Sequence, residues 1–142
     1  MTHESEVVEA ITDSYIEAVA AQDVEALLAL YAPDVRVFDL WTEWSFEGVD
    51  AWTRQITAWF DSIDGGAVHV SFEDLTIRGT RGSGVVVADG YVAYASTDAD
   101  GTPRSMLNRL TWVIEKRDDA WLITHEHTSA PVDESHVVIL SR

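Results

Sequence analysis

From about residue 67 onward the chain changes its hydrophobic period, and that change constrains the fold more than any other feature. Beyond it lie strand-length runs at about 67–78, 85–97, 104–117 and 121–129. They are separated by the turn-forming stretches RGTRGSG, DADGTP and KRDDA. Upstream, Val8, Ile11, Tyr15 and Ala18 recur at helical spacing from about Glu4 to Ala21. Asp23 is placed to cap a second helix, VEALLALY, which stops before Pro33. VRVFDLW reads as a strand entered from the Pro33-Asp34 turn, and TEWSFEG as a short return strand. A third helix runs from about Val49 to Ser62, with Trp52, Ile56 and Trp59 on its apolar stripe and Asp50 at its N-terminus. Helices first and a meander of strands second predict an α+β fold, with the helices packed on one face of an antiparallel sheet. The expected form is a cone-shaped curved antiparallel sheet wrapped around the N-terminal helices. Its interior would be a natural cavity for a small molecule.

A length of 142 residues suits one domain, 1–142, with one core. No apolar run is long enough to span a bilayer, and MTHESEVVEA lacks an apolar signal core, so a cytoplasmic protein is expected. The absence of cysteine excludes disulfides, thiolate metal sites and cysteine nucleophiles. The formal charge is −16 with a single lysine, Lys116, which makes nucleic acid and anionic membranes poor partners. The glycines of GTRGSG do not open a helix, so they read as a hairpin loop and not as a phosphate-binding loop.

The stretch WLITHEHTSAPVD near the end of the chain is the most pointed chemically. Strict alternation puts Trp121, Ile123, His125, His127 and Ser129 on one face of a strand. Leu122, Thr124, Glu126 and Thr128 fall on the other. Two histidines beside a tryptophan and an isoleucine are either core imidazoles with satisfied nitrogens or pocket groups able to act as acid, base or donor. With Asp39 they would form a two-His-one-carboxylate set, but sequence places no further ligand and no metal is expected. If Asp118-Asp119 is a two-residue turn, Trp112 lies opposite His125 and Leu110 opposite His127, with Asn108 on the same face. A one-residue slip would substitute Arg109, Thr111 and Val113.

Asp39 alternates with Val35, Val37 and Trp41. A carboxylate in such company is costly unless paired or protonated, and burial would raise its pKa toward that of a useful base. The alternative is a strand-end aspartate wetted by solvent. Tyr15 sits on the apolar face of the first helix. It is either packed core or a phenol aimed into a cavity, where it would donate to a developing oxyanion.

Two stretches carry a family likeness. YIEAVAAQDVEALLALYAPDVRVFDLWTEWSFEG resembles the N-terminal half of ketosteroid isomerases of the nuclear-transport-factor-2-like, or SnoaL-like, superfamily. The resemblance puts Tyr15 on that family's oxyanion-binding tyrosine, Asp39 on its proton-shuttling aspartate, and Tyr31 on a supporting tyrosine of some members. GTPRSMLNRLTWVIEKRDDAWLITHEHTSAP is similar to the association domain of calcium/calmodulin-dependent protein kinase II and its bacterial relatives. The HEHTS ending also has a partial likeness to metal-free iota-type carbonic anhydrases. There are departures from these patterns. The second acid of the isomerases is absent from 108–113, which holds Asn108 and Arg109, and Leu40 replaces the proline after the aspartate. Trp112 and Thr128 stand where the association domain carries pocket arginines.

The resemblance implies a homodimer without cofactor that takes a small hydrophobic molecule. The expected activity is proton transfer, as isomerisation or cyclisation, on a hydrophobic carbonyl compound. Asp39 would move the proton, with Tyr15 and His127 at the oxygen. Tyr31, Trp41, Trp59, Leu110, Trp112 and His125 would bind the substrate. The alternatives are a non-catalytic ligand-binding and oligomerisation module like the kinase association domain and, more remotely, metal-free carbon dioxide hydration.

Overall fold

Helix α1 (His3–Ala21) starts where the sequence offers a cap: the Thr2 hydroxyl accepts the Ser5 amide at 3.1 Å. The computed structural model describes residues 2–142. Gln22, at φ +52°, ends α1 in the left-handed conformation, and Asp23 then caps α2 (Val24–Leu28) by accepting from the Ala26 amide. This second helix is shorter than VEALLALY because Tyr31 already belongs to β1 (Tyr31–Phe38). Pro33 and Asp34 lie inside that strand, in a stretch where its register slips between Tyr31 and Arg36. The remaining elements are β2 (Phe46–Glu47), α3 (Val49–Asp61), β3 (His69–Gly79), β4 (Val85–Thr97), β5 (Pro103–Arg117) and β6 (Ala120–Ser129).

The strands form one six-stranded sheet in the order β2-β1-β6-β5-β4-β3. The α+β arrangement is as expected, but the cone-shaped curved antiparallel sheet is not. The sheet is open, with β2 and β3 as separate edges, and is neither closed nor strongly curled. It is also mixed, because β1 runs parallel to β6. Alternation along each strand fixes local pairing but not how the two ends of a sheet meet. Here the helices, not a curled sheet, supply the facing wall. Val8, Ile11, Tyr15, Val19, Trp52, Ile56 and Phe60 pack over the inner-face residues Val35, Val37, Val86, Val92, Trp112, Ile114 and Ile123 in one core.

Two bulges shape the sheet. Between Glu73 and Thr76 the β3–β4 register shifts, with Asp74 at φ +52°. Gly90 permits the close approach, since a Cβ there would meet the Glu73 and Asp74 carbonyl oxygens at 2.8 and 2.9 Å. The second bulge is in β6. The Asp118-Asp119 turn forms as expected, with Arg117 opposite Ala120 and Asp118 at φ +55°. Ile123 then pairs Ile114, but His125 pairs Val113, so Thr124 is the extra residue. Its hydroxyl donates to the Val113 carbonyl at 3.3 Å and ties the bulge down.

Candidate functional site

The β6 bulge decides which side chains reach the interior. Beyond Thr124 the alternation is inverted: Glu126 and Thr128 point inward, opposite Trp112 and Leu110, and are buried. His125 and His127 point outward, opposite Val113 and Thr111. The one-residue slip is thus the outcome, and it arises within the strand and not at its turn. The expected placement of the two histidines beside Trp112 and Leu110 is corrected accordingly.

Helices α1 and α3 and the inner face of the sheet enclose a cavity of about 490 Å³. Its walls are largely aromatic: Tyr15 from α1, Trp52 and Trp59 from α3, Tyr94 from β4, and Trp41 from the segment after β1. Trp59 and Tyr94 meet edge to face at 5.7 Å between ring centres. Asp39, Glu126, Thr128 and Asn108 bring polar atoms to it. Trp41, 45% exposed, sits at the rim.

Glu126 is the most deeply set acid, 3% exposed. The Tyr31 hydroxyl donates to its Oε1 at 2.6 Å, and the Trp112 indole N–H donates to the same oxygen at 2.8 Å. Burial pushes its carboxyl up to about 7, against the pull of these two donors, and the charge of Asp39 adds to the rise. Asp39 is half-buried. Desolvation raises its carboxyl from the ordinary range, while hydrogen bonds from Thr128 and from backbone amides act the other way. The Leu40 amide donates to Thr128 Oγ1 at 3.0 Å, which turns the hydroxyl proton of Thr128 toward Asp39 Oδ1 at 2.9 Å. The site therefore holds two carboxyl groups, both shifted toward the proton-bearing state.

Above the acids, the hydroxyls of Tyr15 and Tyr94 share a hydrogen bond at 2.9 Å. Burial raises both phenols further above their ordinary value, so both are neutral donors. Among the described residues two buried side-chain polar atoms lack partners: Asn108 Oδ1, in a residue 4% exposed, and Trp52 Nε1. The Trp52 N–H lies near enough to Tyr31 to favour its anion, yet makes no hydrogen bond. Orphaned polar atoms on the wall of a cavity cost free energy unless something enters to meet them.

Of the residues singled out from sequence, Asp39, Tyr15, Trp41 and Trp59 meet at the cavity. Tyr31 and Trp112 stand behind it and hold Glu126, and Leu110 packs in the core. His125 and His127 lie outside, each edge-on to Phe38, at 5.1 and 5.5 Å between ring centres. His125 Nδ1 donates to the Arg36 carbonyl at 2.7 Å. His127 lines a more open depression with Arg36, Phe38 and Trp44, which Asp39 and Thr128 border from the other side. Among the described residues no group of His, Asp and Glu side chains is placed to hold a metal ion. Sequence reasoning missed Glu126 as a cavity group, along with Tyr94 and Met106. No residue type announces the bulge, and β4 has no distinctive alternation around Tyr94.

A family model of the SnoaL-like domain matches residues 8–133, most of the chain. The chain belongs to the SnoaL-like family. Compared with curated proteins, this SnoaL-like chain has no match. Among solved structures it is similar to a nuclear-transport-factor-2-like protein of unknown function from Pseudomonas putida. The TM-score is 0.83 at 23% identity, over 98% of this chain and 94% of that one. It is also similar to a proposed calcium/calmodulin-dependent protein kinase II association domain from Xanthomonas campestris, with TM-score 0.78 and 24% identity over 92% and 89%. The association domain of C. elegans calcium/calmodulin-dependent protein kinase II aligns with TM-score 0.68 and 16% identity over 89% and 95%. At these identities the likeness establishes that this SnoaL-like domain shares their fold.

Proposed function

We propose that this SnoaL-like chain is a ligand-binding and association domain whose cavity holds a small, largely apolar molecule. The observation that carries the reading is Asn108 Oδ1, a buried acceptor without a partner on the wall of an aromatic cavity of about 490 Å³. The likeness to association domains supports the second half of the reading, self-assembly. The half-buried Phe38 and Val113 on the outer face of the sheet offer apolar surface for it. Titrating the intrinsic tryptophan fluorescence with ring-bearing apolar compounds tests binding, because Trp41, Trp52 and Trp59 line the cavity. Saturable quenching that Trp59→Ala weakens supports the proposal; no saturable response to any such compound overturns it. Light scattering tests association: a dimer or ring is expected, and a monomer at all concentrations removes that half.

A second reading, proton transfer on a hydrophobic carbonyl compound, is favoured by one specific observation. Glu126 is poised at about 7 in the same cavity as Asp39 and the neutral phenols of Tyr15 and Tyr94. On this reading Asp39 takes the proton, Tyr15 donates to the oxygen, and Glu126 fills the place of the acid missing from 108–113. Turnover of a ring enone that survives both Asp39→Asn and Glu126→Gln would sink it.

A further inference from the structure

Among the described residues, every ionisable group that lines the cavity is an acid or a phenol. Asp39 and Glu126 supply two carboxyls, Tyr15 and Tyr94 two hydroxyls, and among the described residues no lysine, arginine or histidine reaches the wall. Asn108 adds a buried oxygen with no donor to meet it. The aromatic side chains of Trp41, Trp52, Trp59 and Tyr94 line the same cavity, and the faces of such rings attract cations and not anions. The formal charge of −16 works in the same sense at long range.

Resting on the binding reading above, we infer that the cavity selects a hydrophobic organic cation, namely a protonated primary or secondary amine carried on a ring system. The ammonium N–H groups would donate to Asp39, Glu126 and Asn108 Oδ1, and the rings would lie against Trp59 and Tyr94. A quaternary ammonium has no N–H to offer Asn108 and is the poorer fit. A carboxylate ligand faces two acids with no counter-charge in reach. The ammonium also settles the proton balance of the site, because its charge favours the ionised form of both carboxyls. The groups that face Glu126 are Tyr31 from β1, Asp39 after β1, Tyr15 from α1 and Tyr94 from β4. Helix α3 contributes no titratable side chain to the cavity. Ionisation of Glu126 is therefore the event near neutrality to which the affinity responds.

The test compares three probes of one shape by calorimetry: naphthylmethylamine, naphthylmethanol and naphthoate. The amine is expected to bind about tenfold or more tightly than the alcohol, and naphthoate more weakly than both. The Asp39→Asn/Glu126→Gln double variant should lose the preference for the amine over the alcohol. If that variant does not fold, the wild-type protein decides by pH. The amine stays protonated across about pH 5 to 8, and its advantage should shrink as pH falls and Glu126 takes up its proton. An alcohol or carboxylate that binds as tightly as the amine overturns the cation assignment and leaves the binding reading intact. A cavity that takes none of the three overturns both.

Discussion

The two faces of β6 carry opposite kinds of chemistry within three residues. Outward, His125 and His127 flank Phe38, one bonded to a backbone carbonyl and the other open to solvent. Inward, Glu126 is almost wholly desolvated, gripped by Tyr31 and Trp112, and Thr128 anchors Asp39. Histidine is the residue whose intrinsic pKa suits neutral pH. In this molecule a glutamate is brought to that range by burial, and it is the glutamate that faces the cavity. Location relative to water, more than residue type, sets which side chain can exchange protons where a ligand would lie.

Substitutions along the strand sharpen that contrast. The largest effect is expected for Glu126→Ala, which leaves the Tyr31 hydroxyl and the Trp112 N–H buried without an acceptor; urea unfolding should show a loss of about 2–4 kcal/mol. Next comes pH. The folded-state carboxyl of Glu126 lies at about 7, above its ordinary 4.5, so the native state binds this proton more tightly than the unfolded chain. The contribution of this group is full below about pH 4.5 and is lost as pH rises through 7. It amounts to about 3 kcal/mol as an upper figure. The raised Asp39 carboxyl acts in the same direction. Glu126→Gln keeps the acceptor oxygen and should abolish most of that slope, so the variant gains on the wild type between pH 5 and pH 8 in parallel urea titrations. A wild-type slope unchanged in the variant would mean that Glu126 is not the group responsible. A smaller effect is expected for Thr128→Val, which removes one donor from Asp39 and costs about 1 kcal/mol. Carbon-detected NMR should show the Asp39 carboxyl moving further up. The smallest belongs to the outer face: in dilute, monomeric protein His127→Ala should stay within about 0.5 kcal/mol, and a loss that grows with protein concentration would place His127 under the second copy.

Much of this arrangement is legible in the residues. Alternation with Val35 and Val37 aims Asp39 inward, and helical spacing sets Tyr15 on the buried side of α1. The three turns appear where their glycines and aspartates stand. The β6 bulge is another matter. In β3 and β4, Asp74 at positive φ and Gly90 opposite are residue types suited to a bulge. Thr124 is β-branched and suits a regular strand, and alternation beyond it accepts either setting. The choice is made by partners distant in sequence: Tyr31 and Trp112 reward an inward Glu126, and Phe38 offers the histidines a surface outside. The cone failed for a similar reason, since closure of a sheet depends on how its edges meet, and β2 and β3 never do.

The grip on Glu126 has one more consequence. Both donors end on Oε1, and neither reaches Oε2. A proton taken up by the carboxyl therefore goes to Oε2, because Oε1 already receives two N–H or O–H groups. Tyr31 and Trp112 keep their bonds in either state, so no side chain has to move. What reverses is the sense of a single atom, from one that accepts a hydrogen to one that offers it. The domain thus contains a polarity inverter whose readout is chemical, at one oxygen of one side chain.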